Sequence, residues 1–197
     1  AILFVRARDY GLQGLEVDHS GFAVLLRADP KSAVLNLRKE QVPLMYWTAA
    51  AWAGAVNLSK ENPYLIAEIP QLEALMDQAL VLDPVWNDGA IHSFMITYAM
   101  ARQGMNSDPV EESKKHFEKA LECSRGQQVA PYVSYAESVA VQEQDMELFE
   151  SLLSQALSID TDEYLQYRLV NIIMQKRARW LLERKDDLIL PPLDAID

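Results

Sequence analysis

The chain has 197 residues and a formal net charge of −11, which gives room for one domain or a short helical array and disfavours a phosphate backbone as partner. Half of its residues are hydrophobic and only seven are glycine. That balance favours a helical core, because Gly inside a helix costs about 1 kcal/mol relative to Ala.

Residues 1–10 read as the end of an amphipathic helix, stopped by Gly11 and Gly14. No capping residue precedes Ala1, so the natural protein is expected to extend upstream, where any targeting signal would lie. Residues 18–28 read as a short helix or turn. Asp29-Pro30 pairs a cap with a first-turn proline and starts a helix to about Lys39. Val42 to Leu58 is a strongly apolar helix with Trp47, Trp52 and many small residues. Asn62-Pro63 and Ile69-Pro70 punctuate the connection to a second helix, which runs from Pro70 to Leu82 and ends at Asp83-Pro84.

The next hairpin has Ala90 to Gln103 as its first helix, with Gly104 as the stop. Ser107-Asp108-Pro109-Val110-Glu111-Glu112 opens its second helix, which ends near Cys123. A third hairpin begins at Pro131, turns near Gln144-Asp145 and ends with a helix from about Met146 to Ser158. Thr161-Asp162 is read as the cap of a last helix, Glu163 to about Lys185, which covers the open end of the stack. The tail from Leu190, with Pro191-Pro192, reads as extended.

One phrase recurs through these hairpins. A large apolar residue stands three before an Ala-Leu pair at Met76/Ala79, Phe117/Ala120 and Leu153/Ala156, and the alanines are 41 and 36 residues apart. Those steps are stretched versions of the ~34-residue tetratricopeptide period, and loops absorb such insertions at little cost. With Ala156 at the small position of a unit, Phe149 and Met146 fall at the expected apolar places. The fold class is therefore all-α, a tetratricopeptide-like solenoid of helical hairpins with a C-terminal capping helix. The expected organisation is a single helical-repeat domain over residues 1–197. Its parts are N-terminal helices in 1–41, hairpins in 42–84, 85–124 and 130–161, and a capping helix and tail in 162–190.

Little in the chain points to catalysis, metal or cofactor. His19, His92 and His116 lack the i, i+3 or i, i+4 spacing of helical metal ligands. Cys123, the single cysteine, cannot form an intrachain disulfide and reads as a small apolar residue at a helix end. No glycine-rich phosphate loop is present. An enzyme would need a cleft in which His92 meets two carboxylates. No apolar run reaches the ~18 residues of a membrane span. The densest basic cluster, Lys176-Arg177 with Arg179 and Arg184-Lys185, reads as compensation of a helix C-terminal dipole.

The aromatic residues carry more. Trp47, Trp52, Trp86, Phe94, Tyr98, Tyr132 and Tyr135 fall on or just before first helices of the hairpins, the helices that line the concave side of such stacks. Most of them read as core, and several as the lining of a groove. Ile91, Phe94, Tyr98 and Arg102 share one helical face, which would suit an organic anion or a carboxylate-bearing peptide.

Leu44-Met45-Tyr46-Trp47-Thr48-Ala49-Ala50-Ala51-Trp52, followed by Asn57-Leu58-Ser59-Lys60, resembles the segment that marks the T component of TRAP transporter systems, the TatT family. Gly21-Phe22 and Leu37 to Val42 fit the approach to that helix. Gln175-Lys176-Arg177-Ala178-Arg179-Trp180-Leu181-Leu182 with Asp186-Asp187-Leu188 resembles the family's closing helix. The resemblance runs over roughly residues 8–190. It implies a non-catalytic periplasmic lipoprotein without cofactors, anchored to the membrane only by lipid through a segment outside this one. It also implies work alongside the solute-binding protein of an uptake system for small organic solutes, often organic acids. Tyr46, Trp47 and Trp52 are its transferable cavity or interface residues. Trp86, Ile91, Phe94, Tyr98, Arg102 and Tyr135 complete the candidate binding set. A homo-oligomer is compatible with this reading, and the alternative is a tetratricopeptide adaptor that grips a peptide of a partner protein.

Overall fold

The computed structural model describes residues 1–104 and 107–190. The tail expected at Pro191-Pro192 lies outside the described residues. Among the described residues the chain forms helices and turns and no strand, an all-α fold. The chain divides into two compact units, with the division between Trp86 and Asn87.

In the first unit α1 (Ile2–Asp18) packs on α4 (Val42–Asn57), and α4 packs on α6 (Ile69–Leu82). Contrary to the sequence expectation, α1 runs straight through Gly11 and Gly14. A Cβ at Gly11 would stand 2.9 Å from Cβ of Thr48, and one at Gly14 would stand 2.8 Å from Cδ2 of Leu44. On α4, Gly54 makes room in the same way for the Phe4 ring. These glycines let two helices approach closely, and the added contact offsets their poor helix propensity.

Short elements close the rest of this unit: α2 (Phe22–Ala28), α3 (Pro30–Val34), a 3-10 turn at Lys39–Gln41 and α5 (Pro63–Ile66). Asp29 caps α3 as expected, accepting from Ser32 N at 3.1 Å, but α3 ends at Val34 and does not reach Lys39. The Glu16 carboxylate accepts from Ala23 N at 2.6 Å and Gly21 N at 2.8 Å, and these bonds hold its pKa below the ordinary value. Lys39 pairs with Asp83 at the end of α6, at 3.1 Å.

The second unit is built from α7 (Trp86–Ala101), α8 (Pro109–Ser124), α9 (Ala130–Tyr135), α10 (Met146–Ser158), α11 (Arg168–Glu183) and α12 (Lys185–Leu188). The regular part of α7 starts at Ala90, because Asn87, Asp88 and Gly89 are all left-handed, with φ of 48°, 53° and 84°. Asn, Asp and Gly are the residues that tolerate this region best. Asp108 caps α8 by accepting from Val110 N at 2.8 Å, and buried Ser113 donates to the Ile96 carbonyl at 2.8 Å. A π-helical stretch, Ala136–Ala140, follows α9, and Asp145 caps α10.

The start of the last long helix differs from expectation. Thr161-Asp162 does not cap it; α11 begins at Arg168, and Asp162 instead accepts from Arg168 Nε at 2.6 Å. Two buried polar residues fasten α11 from within. Asn171 accepts from Val129 N at 3.0 Å and donates to the Gln127 carbonyl at 2.9 Å, and Gln175 donates to the Ile159 carbonyl at 2.8 Å.

The recurring phrase has a common environment. Ala79, Ala120 and Ala156 are fully buried, while the leucine after each is partly exposed. Phe149 lies fully buried in the core of the second unit, with Met146 packed against that core.

Candidate functional site

Tyr46, Trp47, Trp52 and Trp86 fall in the first unit, and Ile91, Phe94, Tyr98, Arg102 and Tyr135 in the second. The structure sorts them by surroundings. Tyr46 on α4 meets Trp47 edge-on, with ring centroids 5.1 Å apart, and meets Trp86 at 4.8 Å. Burial raises the Tyr46 hydroxyl pKa. Trp47 is 62% exposed and lines an open depression of about 440 Å³ with Phe4, Tyr10, Leu44 and Thr48. Phe4, Tyr10, Trp47, Tyr46 and Trp86 thus form an aromatic belt across one unit. The residues lining the depression are uncharged, and the Arg6 guanidinium stands 5.8 Å over the Tyr10 ring, so the lining fits apolar or aromatic matter.

Trp52 lies on a different side of α4 and is only 3% exposed. Its Nε1 donates to Glu68 at 3.0 Å; the same Glu68 oxygen accepts from Arg8 at 2.7 Å, and the Arg8 guanidinium stands 5.0 Å over the Trp52 ring. That network ties α1 and α4 to the start of α6, so Trp52 offers no surface to a ligand.

In the second unit Phe94 and Tyr98 stack at 5.4 Å, one turn apart on α7, and Arg102 follows where the helix ends. Phe94, Tyr98 and Arg102 are half-buried, and Ile91 is fully buried and does not join them. Tyr135 is buried too, stacked on Phe117 at 4.6 Å with Tyr132 edge-on to the same ring.

Sequence reasoning missed two features. Phe4 and Tyr10 sit on a segment that read only as the end of an amphipathic helix, and the tight α1–α4 contact that places them is long-range. The pairing of His92 with His116 was equally hidden, since 24 residues separate them. Their Nδ1 atoms stand 2.9 Å apart. Burial, with the nearby His116 and Lys119 charges, pushes the His92 pKa down to about 4. His92 meets an imidazole here, in place of the two carboxylates an acid–base site would need. Among the described residues no group of three or more His, Cys, Asp and Glu side chains could hold a metal ion, and no helix is long and apolar enough to cross a membrane.

The fold defines an all-α helical protein, and fold alone does not set what it does. The model of the TRAP transporter T-component family matches residues 1–189, so the chain belongs to that family. Membership implies a role within a TRAP transporter system. The chain is also similar to an uncharacterized protein of Treponema pallidum (strain Nichols), at 22% identity over 192 residues that cover 95% of this chain and 59% of that protein. It therefore spans about three-fifths of the length of that relative.

Proposed function

We propose that the chain is a non-catalytic binding and scaffolding accessory of a TRAP-type uptake system. In this reading it associates with the system's solute-binding protein and engages solute or that protein through exposed aromatic surfaces. The periplasm is its place of work, with a lipid anchor outside this segment.

The observation that carries the reading is the belt of Phe4, Tyr10, Trp47, Tyr46 and Trp86, with a largely exposed tryptophan over an apolar depression. Exposing that much aromatic surface costs solvation free energy unless something covers it. The half-buried Phe94–Tyr98 stack on α7 is a second aromatic element in this reading. The tetratricopeptide-like repeat supports the scaffold part, since such arrays present extended binding faces.

Pull-down with the purified solute-binding protein tests it, using wild type, Trp86→Ala and Tyr98→Ala. The reading expects wild type to retain the partner and at least one folded variant to lose most of it. Equal retention by all three counts against these residues, and no retention by wild type counts against the association.

A further inference from the structure

The two faces of α11 differ. The inner face buries Asn171, Gln175, Ala178 and Leu181. On the outer face Leu169, Ile173 and Trp180 are 72%, 54% and 39% exposed. Helical spacing sets Lys176, Arg177 and Arg184 along the same line. The Trp180 indole is flanked by two guanidiniums, Arg177 at 4.2 Å and Arg184 at 4.8 Å from the ring centroid. Arg177 is held from behind by Glu137. Among the described residues Lys176, Arg179 and Arg184 make no ion pair, in a chain with 29 acidic and 18 basic residues. Dipole compensation accounts for Arg184, at the C-cap of α11, but not for Lys176 or Arg179, which lie before the last turn.

We propose that this outer face is a docking surface for an acidic, apolar-patched surface of a partner protein. The choice of partner rests on the accessory reading above. Stacking on Trp180 holds both guanidiniums in place, with Arg177 paired to Glu137, so Arg184 loses less side-chain entropy when it meets a carboxylate. Trp and Arg are also the side chains that most often dominate binding energy in interfaces. Leu169 and Ile173 provide the apolar centre that a protein contact desolvates. A lipid surface fits less well. Lys176 and Arg177 interrupt the aliphatic line, and guanidiniums lie over the indole, so no continuous apolar face is left to enter a bilayer interface.

The test is titration of the full-length protein with the purified solute-binding protein of the same transporter at 50 and 300 mM NaCl. The variants are Ile173→Asp, Trp180→Ala and the charge reversal Lys176→Glu/Arg184→Glu, each checked for folding by circular dichroism. The charge reversal alters exposed side chains only and serves if either other variant fails to fold. The expected result is at least tenfold weaker binding in the folded variants, with a flatter salt dependence in the charge reversal. Wild-type affinity in the folded charge-reversal and Ile173→Asp proteins overturns the α11 surface and leaves the accessory reading standing. No binding by wild type overturns both. Capture of wild type by phosphatidylglycerol vesicles, lost in the charge reversal, with unchanged affinity for the protein partner in the variants, overturns the proposal in favour of a lipid surface.

Discussion

Gly11 of α1 and Thr48 of α4 are in contact without a side chain on the glycine. A Cβ added at Gly11 would stand 2.9 Å from Cβ of Thr48, and Thr48 is held in place by donating its hydroxyl to the Leu44 carbonyl at 2.6 Å. Two effects therefore oppose each other in Gly11→Ala. Helix propensity favours alanine by about 1 kcal/mol, while overpacking costs about 1–3 kcal/mol. The contact should win and lower stability. Urea denaturation of Gly11→Ala alone and with Thr48→Ala checks this. The double variant should recover part of the loss, since Thr48→Ala removes Oγ1, the atom nearest the added methyl, and Cγ2, while Cβ stays.

The left-handed run at Asn87, Asp88 and Gly89 makes a second prediction. Gly89 has φ of 84°, and a Cβ there would lie 2.8 Å from Cβ of Cys123. Gly89→Ala thus combines a backbone penalty of about 1–2 kcal/mol with a clash. It should destabilise the protein by about 2–4 kcal/mol. Asn87→Gly, at φ of 48°, should be neutral or slightly stabilising. Thermal melts of the two variants should move in different directions or by clearly different amounts.

The pair of buried His92 and half-buried His116 gives a pH dependence. His92 titrates near 4 in the folded protein, against about 6.5 in an unfolded chain. Between those values the unfolded chain binds a proton that the folded one does not. This contribution to stability is therefore complete above about pH 6.5 and is lost as pH falls toward 4. Melting temperatures measured from pH 7 to pH 5 should drop in wild type and drop less in His92→Gln. The Glu16 carboxylate, with its pKa lowered by amide bonds from Ala23 and Gly21, adds a loss at more acidic pH.

What was legible in the sequence was local. Caps at Asp29 and Asp108 and the apolar period of α4 and α6 follow from side chains acting within one or two turns, and they appear where the residues imply. The buried alanines of the recurring phrase were legible because a fixed spacing repeats a fixed environment. Glycine misled at α1, because its propensity is a local property and its use here, close approach to Thr48 and Leu44, is a long-range one. Trp52 shows the same limit at the candidate site. Its type and its place on α4 match Trp47, and only the tertiary position of Glu68 and Arg8 separates a buried strut from an exposed face.

The two tryptophans of α4 offer the most direct test that the exposed belt is the binding surface. Calorimetric titration of the full-length protein with the solute-loaded binding protein should be compared for wild type, Trp47→Ala and Trp52→Phe. The account predicts about tenfold or greater loss of affinity, about 1.4 kcal/mol, for Trp47→Ala. It predicts unchanged affinity with lowered melting temperature for Trp52→Phe, which loses its hydrogen bond to Glu68. Wild-type affinity in a folded Trp47→Ala protein would contradict it.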